Sequence, residues 1–209
     1  MGKAQVTLAR ERDNANYREV LEDSIEELTR LNRIINDMLF LAQVSQPQVQ
    51  IALKPMALAD EAARVVELFA FSAEVKAVEL RVQGWGTALG DRLMLQRALS
   101  NLLSNAIRHG PEGEPIELRI ERYGSEVRLS VENQGPGIAA EHQSRLFERF
   151  YRVGSGRSRL EGGTGLGLAI VKSIMQLHGG RVEVNSGPLG PTRFTLVFPC
   201  LLYTSPSPR

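Results

Sequence analysis

Three short groups of residues in this chain have the types and spacing to do chemistry. From Gly90 to Gly110, the positions Leu93, Leu95, Leu99, Leu102, Leu103 and Ile107 recur at three- and four-residue steps, with Asp91 placed as a cap and Gly110 past the end. That pattern predicts a buried amphipathic helix. On it, Asn101, Asn105 and Arg108 follow at spacings of four and three, so two amides and a cation share one stripe. Amides are disfavoured in helix interiors because they compete for the backbone. A repeated pair is explained either by hydrogen bonds to a neighbouring turn or by a polar ligand. Further on, Gly163, Gly165 and Gly167 open a second helix. Glycines there let backbone amides approach an anion, and the helix offers its positive end. The cluster is a candidate phosphate cradle. It is not a dinucleotide fingerprint, because the third glycine falls one residue early and no strand precedes it, nor a P-loop, because no Gly-Lys-Ser/Thr follows. Asn133-Gln134-Gly135-Pro136-Gly137 lies between the two helices. Tight turns explain any one of these groups, but not all three in this order.

Length and composition limit what these residues can serve. A chain of 209 residues can hold one large domain, or a domain with an appendage, and can bury a real core. The formal charge of +1, with acids and bases interspersed, argues against nucleic acid or an anionic membrane as partner. The single cysteine, Cys200, excludes an intrachain disulfide and a multi-cysteine metal site. No apolar run approaches the ~20 residues of a membrane-spanning helix, and Met1 is not followed by a signal-peptide pattern. The expectation is a soluble, cytoplasmic chain.

The elements that must position these residues can be taken in order. Asn16 to Val44 lacks proline and glycine, and Leu21, Ser24, Leu28, Leu31, Ile35, Met38 and Ala42 make a heptad-like seam flanked by charge. Such a helix needs a partner: a dimeric helical bundle, or its own domain. Ser45 to Pro55, with two prolines and three glutamines, ends it as a linker or edge strand. A helix is expected over Ala57 to Val75 and a strand over Val78 to Val82, leading through Gly84-Trp85-Gly86 into the first helix described. Ile116 to Glu121 and Val127 to Glu132 alternate around Tyr123-Gly124-Ser125, a hairpin pattern. After Ala139 a short helix should carry Leu146, Phe147 and Phe150. Arg152 to Gly163, rich in glycine, serine and arginine, should be a mobile loop. Thr164 to Leu177 should be helical, and Arg181 to Val184 with Arg193 to Phe198 should close the fold as antiparallel strands. The expected fold class is α+β: a two-layer α/β sandwich with one mixed sheet and helices on one face, preceded by a helical hairpin fragment.

The wording of these segments carries a resemblance over nearly the whole chain. NLLSNAIRH, NQGPGI, RLFERFYR and GGTGLGLAIVKSIMQLHGG resemble, in order, the N, G1, F and G2 boxes of bacterial sensor histidine kinases. The Tyr17 to Val44 helix resembles the second helix of their dimerisation hairpin, and its DMLFLAQ run is closest to heavy-metal-responsive members. The resemblance implies residues 1–46 as a truncated hairpin, with its second helix at about 15–45. It implies residues 47–199 as the catalytic ATP-binding domain. The tail 200–209 resembles nothing in the family and is expected to be disordered or foreign.

It further implies ATP and Mg²⁺ as ligands, with Asn105 as the metal ligand, a hard oxygen donor. Asn101 would lie beside it. Related chaperone and gyrase ATPases have a water-activating glutamate there, so Asn101 implies weak hydrolysis and disfavours that third reading. Arg108 and His109 would border the phosphates and sugar. Gly135, Gly137, Gly163, Thr164, Gly165, Leu166 and Gly167 would line the nucleotide, and Arg157 or Arg159 would close over its phosphates as a lid. Ile138 would be an apolar pocket wall and Thr192 a hydroxyl near the adenine. Asn133 departs from the family's usual aspartate; its amide oxygen can accept the same adenine bond, at about 1 kcal/mol less strength. The implied partners are a response regulator receiver domain and a second copy through the hairpin. Membrane contact, at the bacterial inner membrane, would come only through segments missing from this chain. Gly2 to Arg12 resembles the last turns of the first hairpin helix, past the phosphate-accepting histidine. His109, His142 and His178 all fall outside such a context: His142 is expected in solvent, and His178 at a helix terminus where a cation is favoured. The resulting function is the ATP-binding core of a sensor histidine kinase, whose γ-phosphate goes to a histidine absent from this fragment. The alternative is a nucleotide-binding interaction module without kinase activity.

Overall fold

The computed structural model describes residues 14–46, 48–153, 163–188 and 190–199. Its elements are α1 (Asn14–Val44), β1 (Lys54–Ala57), α2 (Leu58–Val75), β2 (Leu80–Gly84), β3 (Thr87–Gly90) and α3 (Arg92–His109). They continue with β4 (Ile116–Tyr123), β5 (Glu126–Asn133), α4 (Ala140–Gln143), α5 (Gly167–Leu177), β6 (Arg181–Ser186) and β7 (Thr192–Pro199). Five strands form one mixed sheet in the order β2-β4-β5-β7-β6, with β2 parallel to β4 and the other pairs antiparallel. The two-layer α+β expectation holds.

Period-two alternation in the strands decides which face is covered. Leu118 and Ile120 on β4, Leu129 and Val131 on β5, and Leu196 and Phe198 on β7 are buried, facing Leu95, Leu99, Leu102 and Leu103 of α3 and Ile170 and Ile174 of α5. The intervening residues carry paired charges. Arg193 Nε reaches Glu132 Oε2 across the β5–β7 register at 2.5 Å. Glu126 takes bonds from both Arg181 and Arg128, which hold its carboxyl down at about 2. This face therefore needs no second layer.

Several boundaries differ from expectation for local reasons. The strand expected at Val78 to Val82 lies at Leu80–Gly84, because Ala77 takes a positive φ of 53° and Val78 is buried in the turn that follows α2. Thr87–Gly90 was hidden in what reads as a connection; it is a strand whose partner is β1, with Met56 buried beneath the ribbon. Helix α5 starts at Gly167 rather than Thr164, since Gly165 at φ 72° cannot be helical. The helix after Ala139 ends at Gln143, so Leu146, Phe147 and Phe150 sit on turns. Leu93 is exposed, one residue outside the buried stripe of α3.

Helix α1 packs on its own domain only near its C-terminal end. Leu21, Leu28, Leu31, Ile35 and Met38 of the seam are exposed, whereas Asp37 and Leu41 near the C-terminal end are buried against the catalytic layer. Among the described residues no helix is long and apolar enough to cross a membrane.

One buried acid ties α2 to α3. Glu61, 2% exposed, accepts from Arg92 Nε and Gln96 Nε2, each at 2.7 Å. Burial alone would raise its pKa; the bonds from Arg92 and Gln96, with the charges of Arg92 and Arg64, outweigh it and hold the carboxyl below the usual 4.5. A lowered folded-state pKa gives stability that is present above the unfolded pKa and lost as pH falls through the folded one. Glu61→Gln should thus cost about 1–2 kcal/mol at neutral pH, since the partner arginines are solvent-screened. The deficit should shrink below pH 4.5, the unfolded carboxylate range. Thermal melting at the two pH values checks this; an equal deficit at both would exclude the ionic contribution.

Candidate active site

Helix α3 supplies one wall of a cavity of about 370 Å³. Its N-terminus is capped by Asp91, whose carboxylate accepts from Met94 N at 3.0 Å. Its C-terminus is held by Lys76, which donates to the carbonyls of Ile107 at 2.8 Å and Arg108 at 3.1 Å. With the leucines buried on one side, Asn101, Ser104, Asn105, Arg108 and His109 line the cavity on the other.

Asn101 serves both explanations offered by its sequence context. Its amide nitrogen donates to Arg97 O one turn back at 2.9 Å, so its oxygen is the atom left towards Gly167. A methyl group built on Gly167 would stand 2.7 Å from that oxygen, so α5 can start this close to α3 only with glycine there. Asn105 lines the cavity without a side-chain hydrogen bond to any described residue.

The glycine loop before α5 is strapped to the segment that follows α4. Phe150 N donates to Gly165 O at 2.9 Å, and Phe150 itself holds φ 64°. Arg152 Nη1 donates to Gly163 O at 2.7 Å, and Leu166 N donates to Thr164 Oγ1 at 3.2 Å. Gly163, Thr164, Gly165 and Gly167 all line the cavity, whereas the Leu166 side chain is fully buried and does not line it.

At the other end, Asn133 and Thr192 face each other in the β5–β7 register, and both are buried. Asn133 Nδ2 donates to Gln134 O at 2.7 Å, which leaves the carboxamide oxygen as the acceptor. Thr192 Oγ1 lies 2.8 Å from Ser186 Oγ, which accepts from Ile138 N at 2.9 Å, while Gln143 Nε2 bonds the carbonyls of Ile138 and Ser186. Gly137 turns the chain at φ 72°. Gly135 passes His109 O so closely that an added methyl would stand 3.2 Å away.

The structure thus brings Asn101, Asn105, Arg108, His109, Asn133, Gly135, Gly137, Ile138, Gly163, Thr164, Gly165, Gly167 and Thr192 around one cavity. Arg157 and Arg159 lie outside the described residues. Ser186 and Gln143 were not anticipated: Ser186 braces the Ile138 turn from 48 positions away, and Gln143 ties that turn to the Ser186 carbonyl 43 positions on, which no local pattern marks. Ser104 was within reach of helical periodicity. Arg33 and Asp37 of α1 also line the cavity, which no local pattern on a heptad-like helix could indicate. His142 is not simply solvated: its Nδ1 lies 2.8 Å from Tyr151 Oη, and Tyr151 lines the cavity. His178 is the C-terminal cap of α5, as expected, but it is buried rather than solvated, with Nδ1 2.7 Å from Ile174 O and Nε2 accepting from Asp91 N at 3.0 Å.

Residues 90–201 match the family model described as "Histidine kinase-, DNA gyrase B-, and HSP90-like ATPase". The chain belongs to this family. Within it, the relatives are sensor kinases. Sensor histidine kinase CusS of Escherichia coli (strain K12) is 46% identical over 198 residues, 94% of this chain and 41% of that protein. Sensor protein IrlS of Burkholderia pseudomallei (strain K96243) is 44% identical over 199 residues, 95% of this chain and 43% of that protein. The chain therefore spans about two fifths of the length of these relatives. Among solved structures, full-length ShkA in complex with AMPPNP superposes with TM-score 0.74 at 26% identity, over 91% of this chain and 40% of that one. Acinetobacter baumannii histidine kinase AdeS matches the fold with TM-score 0.73 at 21% identity, over 92% and 87%. Most of the residues lining the cavity fall within the segment matched by this ATPase family.

Gly165 is the position where this geometry is least forgiving. A methyl there would stand 2.8 Å from the Phe150 carbonyl carbon at a backbone conformation that disfavours side chains. Gly165→Ala should cost about 1–3 kcal/mol. It should also accelerate hydrogen exchange at the Phe150 amide. Unchanged melting and exchange would show that the strap tolerates displacement.

Proposed function

We propose that the cavity binds ATP with Mg²⁺, and that the parent protein transfers the γ-phosphate to a histidine for relay to a response regulator receiver domain. The observation that supports it is the junction of α3 and α5, where Asn101 meets Gly167 and the Gly163 to Gly167 loop faces Asn105, Arg108 and Arg152. Backbone amides at a helix start, arginines and an uncommitted amide oxygen suit a triphosphate and a hard cation. In this reading Asn105 holds Mg²⁺, which would neutralise phosphate charge; Asn133, Thr192 and Ile138 take the adenine; Arg157 and Arg159 complete the phosphate contacts. Asn101, lacking a carboxylate, leaves attacking water unactivated and preserves ATP for transfer.

The same reading divides the chain into a hairpin part at 1–46, a catalytic part at 47–199 and a tail at 200–209. The exposed seam of Leu21, Leu28 and Ile35 pairs with a second copy. The full-length protein is anchored in the bacterial inner membrane with this part on the cytoplasmic side, and its DMLFLAQ wording allies it with heavy-metal-responsive kinases.

A melting experiment with Mg-ATP tests the site: at a hundredfold excess over the dissociation constant, stability should rise by about 2.7 kcal/mol. Asn105→Asp should lower the affinity by placing negative charge beside the phosphates. An unmoved melting curve would sink the assignment.

None of the three histidines is available as acceptor in this reading. His178 is buried and doubly bonded, His142 pairs with Tyr151, and His109 ends α3 at the cavity wall. Incubated with γ-labelled ATP, the 209-residue chain should stay unlabelled, and acid-labile label would refute this.

A further inference from the structure

Arg33 is part of α1, well outside residues 90–201 of the family match, yet it lines the cavity. Asp37, one turn further along the same face, explains how α1 comes to lie there. Its Oδ1 accepts from Arg97 Nη2 at 2.9 Å, and the Arg97 guanidinium stacks 4.0 Å from the centre of the Phe40 ring. The Arg97 carbonyl in turn holds the Asn101 amide. Helix α1 is therefore fastened to α3 one turn ahead of Asn101.

That position specifies which part of a ligand Arg33 can meet. Along α3 the cavity runs from His109, beside Gly135 and the Asn133 end, to Asn101, beside Gly167, a rise of about 12 Å at 1.5 Å per residue. A nucleotide with its base at Asn133 directs its phosphates towards Asn101, and α1 closes the far end. The Arg33 guanidinium, exposed, has no hydrogen bond or ion pair among the described residues. Among the described residues Asp37 is the only acid lining the cavity, and its carboxylate is committed to Arg97. A solvated surface arginine would be ordinary on most helices; here it joins Arg108 and Arg152 in the lining of one cavity.

We infer that Arg33 is a contact to the terminal phosphate of the nucleotide, supplied by α1 rather than by the catalytic layer, so that ATP itself draws the hairpin helix onto the catalytic core. The inference rests on the nucleotide reading of the cavity. Reciprocity follows from linkage: if the docked α1 strengthens ATP binding, bound ATP strengthens docking by the same factor.

The test compares ATP, ADP and AMP binding by calorimetry for the full 209-residue chain, Arg33→Ala and Arg33→Lys. Arg33→Ala should weaken ATP by about tenfold, the effect of one lost charge-assisted bond, and AMP by less than about twofold. Arg33→Lys should recover part of the loss, and melting without nucleotide should be unchanged because the side chain is exposed. As an independent readout, ATP should slow hydrogen exchange in the last turns of α1 in the unaltered chain but not in Arg33→Ala. If the unaltered chain binds ATP and Arg33→Ala binds it within about twofold as well, or loses all three nucleotides equally, the inference is overturned while the nucleotide reading stands. Failure of the unaltered chain to bind ATP overturns both.

Discussion

Helix α3 must bury one face under the sheet and present the other to the cavity, and the geometry of the site depends on its not rotating. A helix turns by about 100° per residue, so a shift of one position would carry Asn105 out of the cavity and a leucine into it. Burial of Leu95, Leu99, Leu102 and Leu103 resists rotation, because a rotated helix would expose them. Side chains from elsewhere fix the ends. His178 takes the Asp91 amide at the start, and Lys76 takes the carbonyls of Ile107 and Arg108 at the finish. His178 can do this because a side chain at Gly90 would run into its ring, so glycine lets the β3 to α3 junction lie directly against the end of α5.

The second wall is made by subtraction of side chains. Gly167 admits Asn101, Gly165 admits the Phe150 backbone, and Gly135 admits the carbonyl of His109. Each contact is a place where one backbone meets another element without an intervening Cβ, and together they leave a hollow lined by the amides and arginines of α3 and the glycine loop and by apolar side chains such as Ile138, Leu146 and Phe194. The sheet's outer face handles charge in the opposite manner. There, Arg119, Arg128, Arg181 and Arg193 each have a glutamate beside them, whereas the described lining of the cavity holds Arg33, Arg108 and Arg152 with the one acid Asp37.

Helix α1 joins two regimes in one element. Its apolar seam has no partner within the described residues, while its last turns carry the Asp37–Arg97 pair and the Arg97–Phe40 stack. Arg149 Nη2 adds a bond to Ser45 Oγ at 2.9 Å just beyond the helix. The contact thus combines these polar, directional bonds with apolar packing of Leu41, Ile34, Phe40 and Val44 against the core.

The sequence by itself determined the elements and most of the site. Periodicity located α3 and the hairpin of β4 and β5, and glycine spacing located the loop before α5, because each depends on residues near one another in the chain. The stripe of Asn101, Asn105 and Arg108 was legible for the same reason: three residues on one helix share a face whatever surrounds them. Tertiary structure alone decided that the Leu166 side chain is fully buried, and that His178 is an internal brace. It also decided that Ser186 and Gln143 hold the Ile138 turn, and that β1 and β3 pair. Most of these outcomes depend on contacts between residues far apart in the chain, 48 positions for Ser186 with Ile138 and 87 for Asp91 with His178, where the neighbours of a side chain are set by how layers pack. The entry of Arg33 and Asp37 into the cavity is of the same kind: a heptad pattern specifies which face of a helix is apolar, but only the docked position of that helix specifies what its polar face meets.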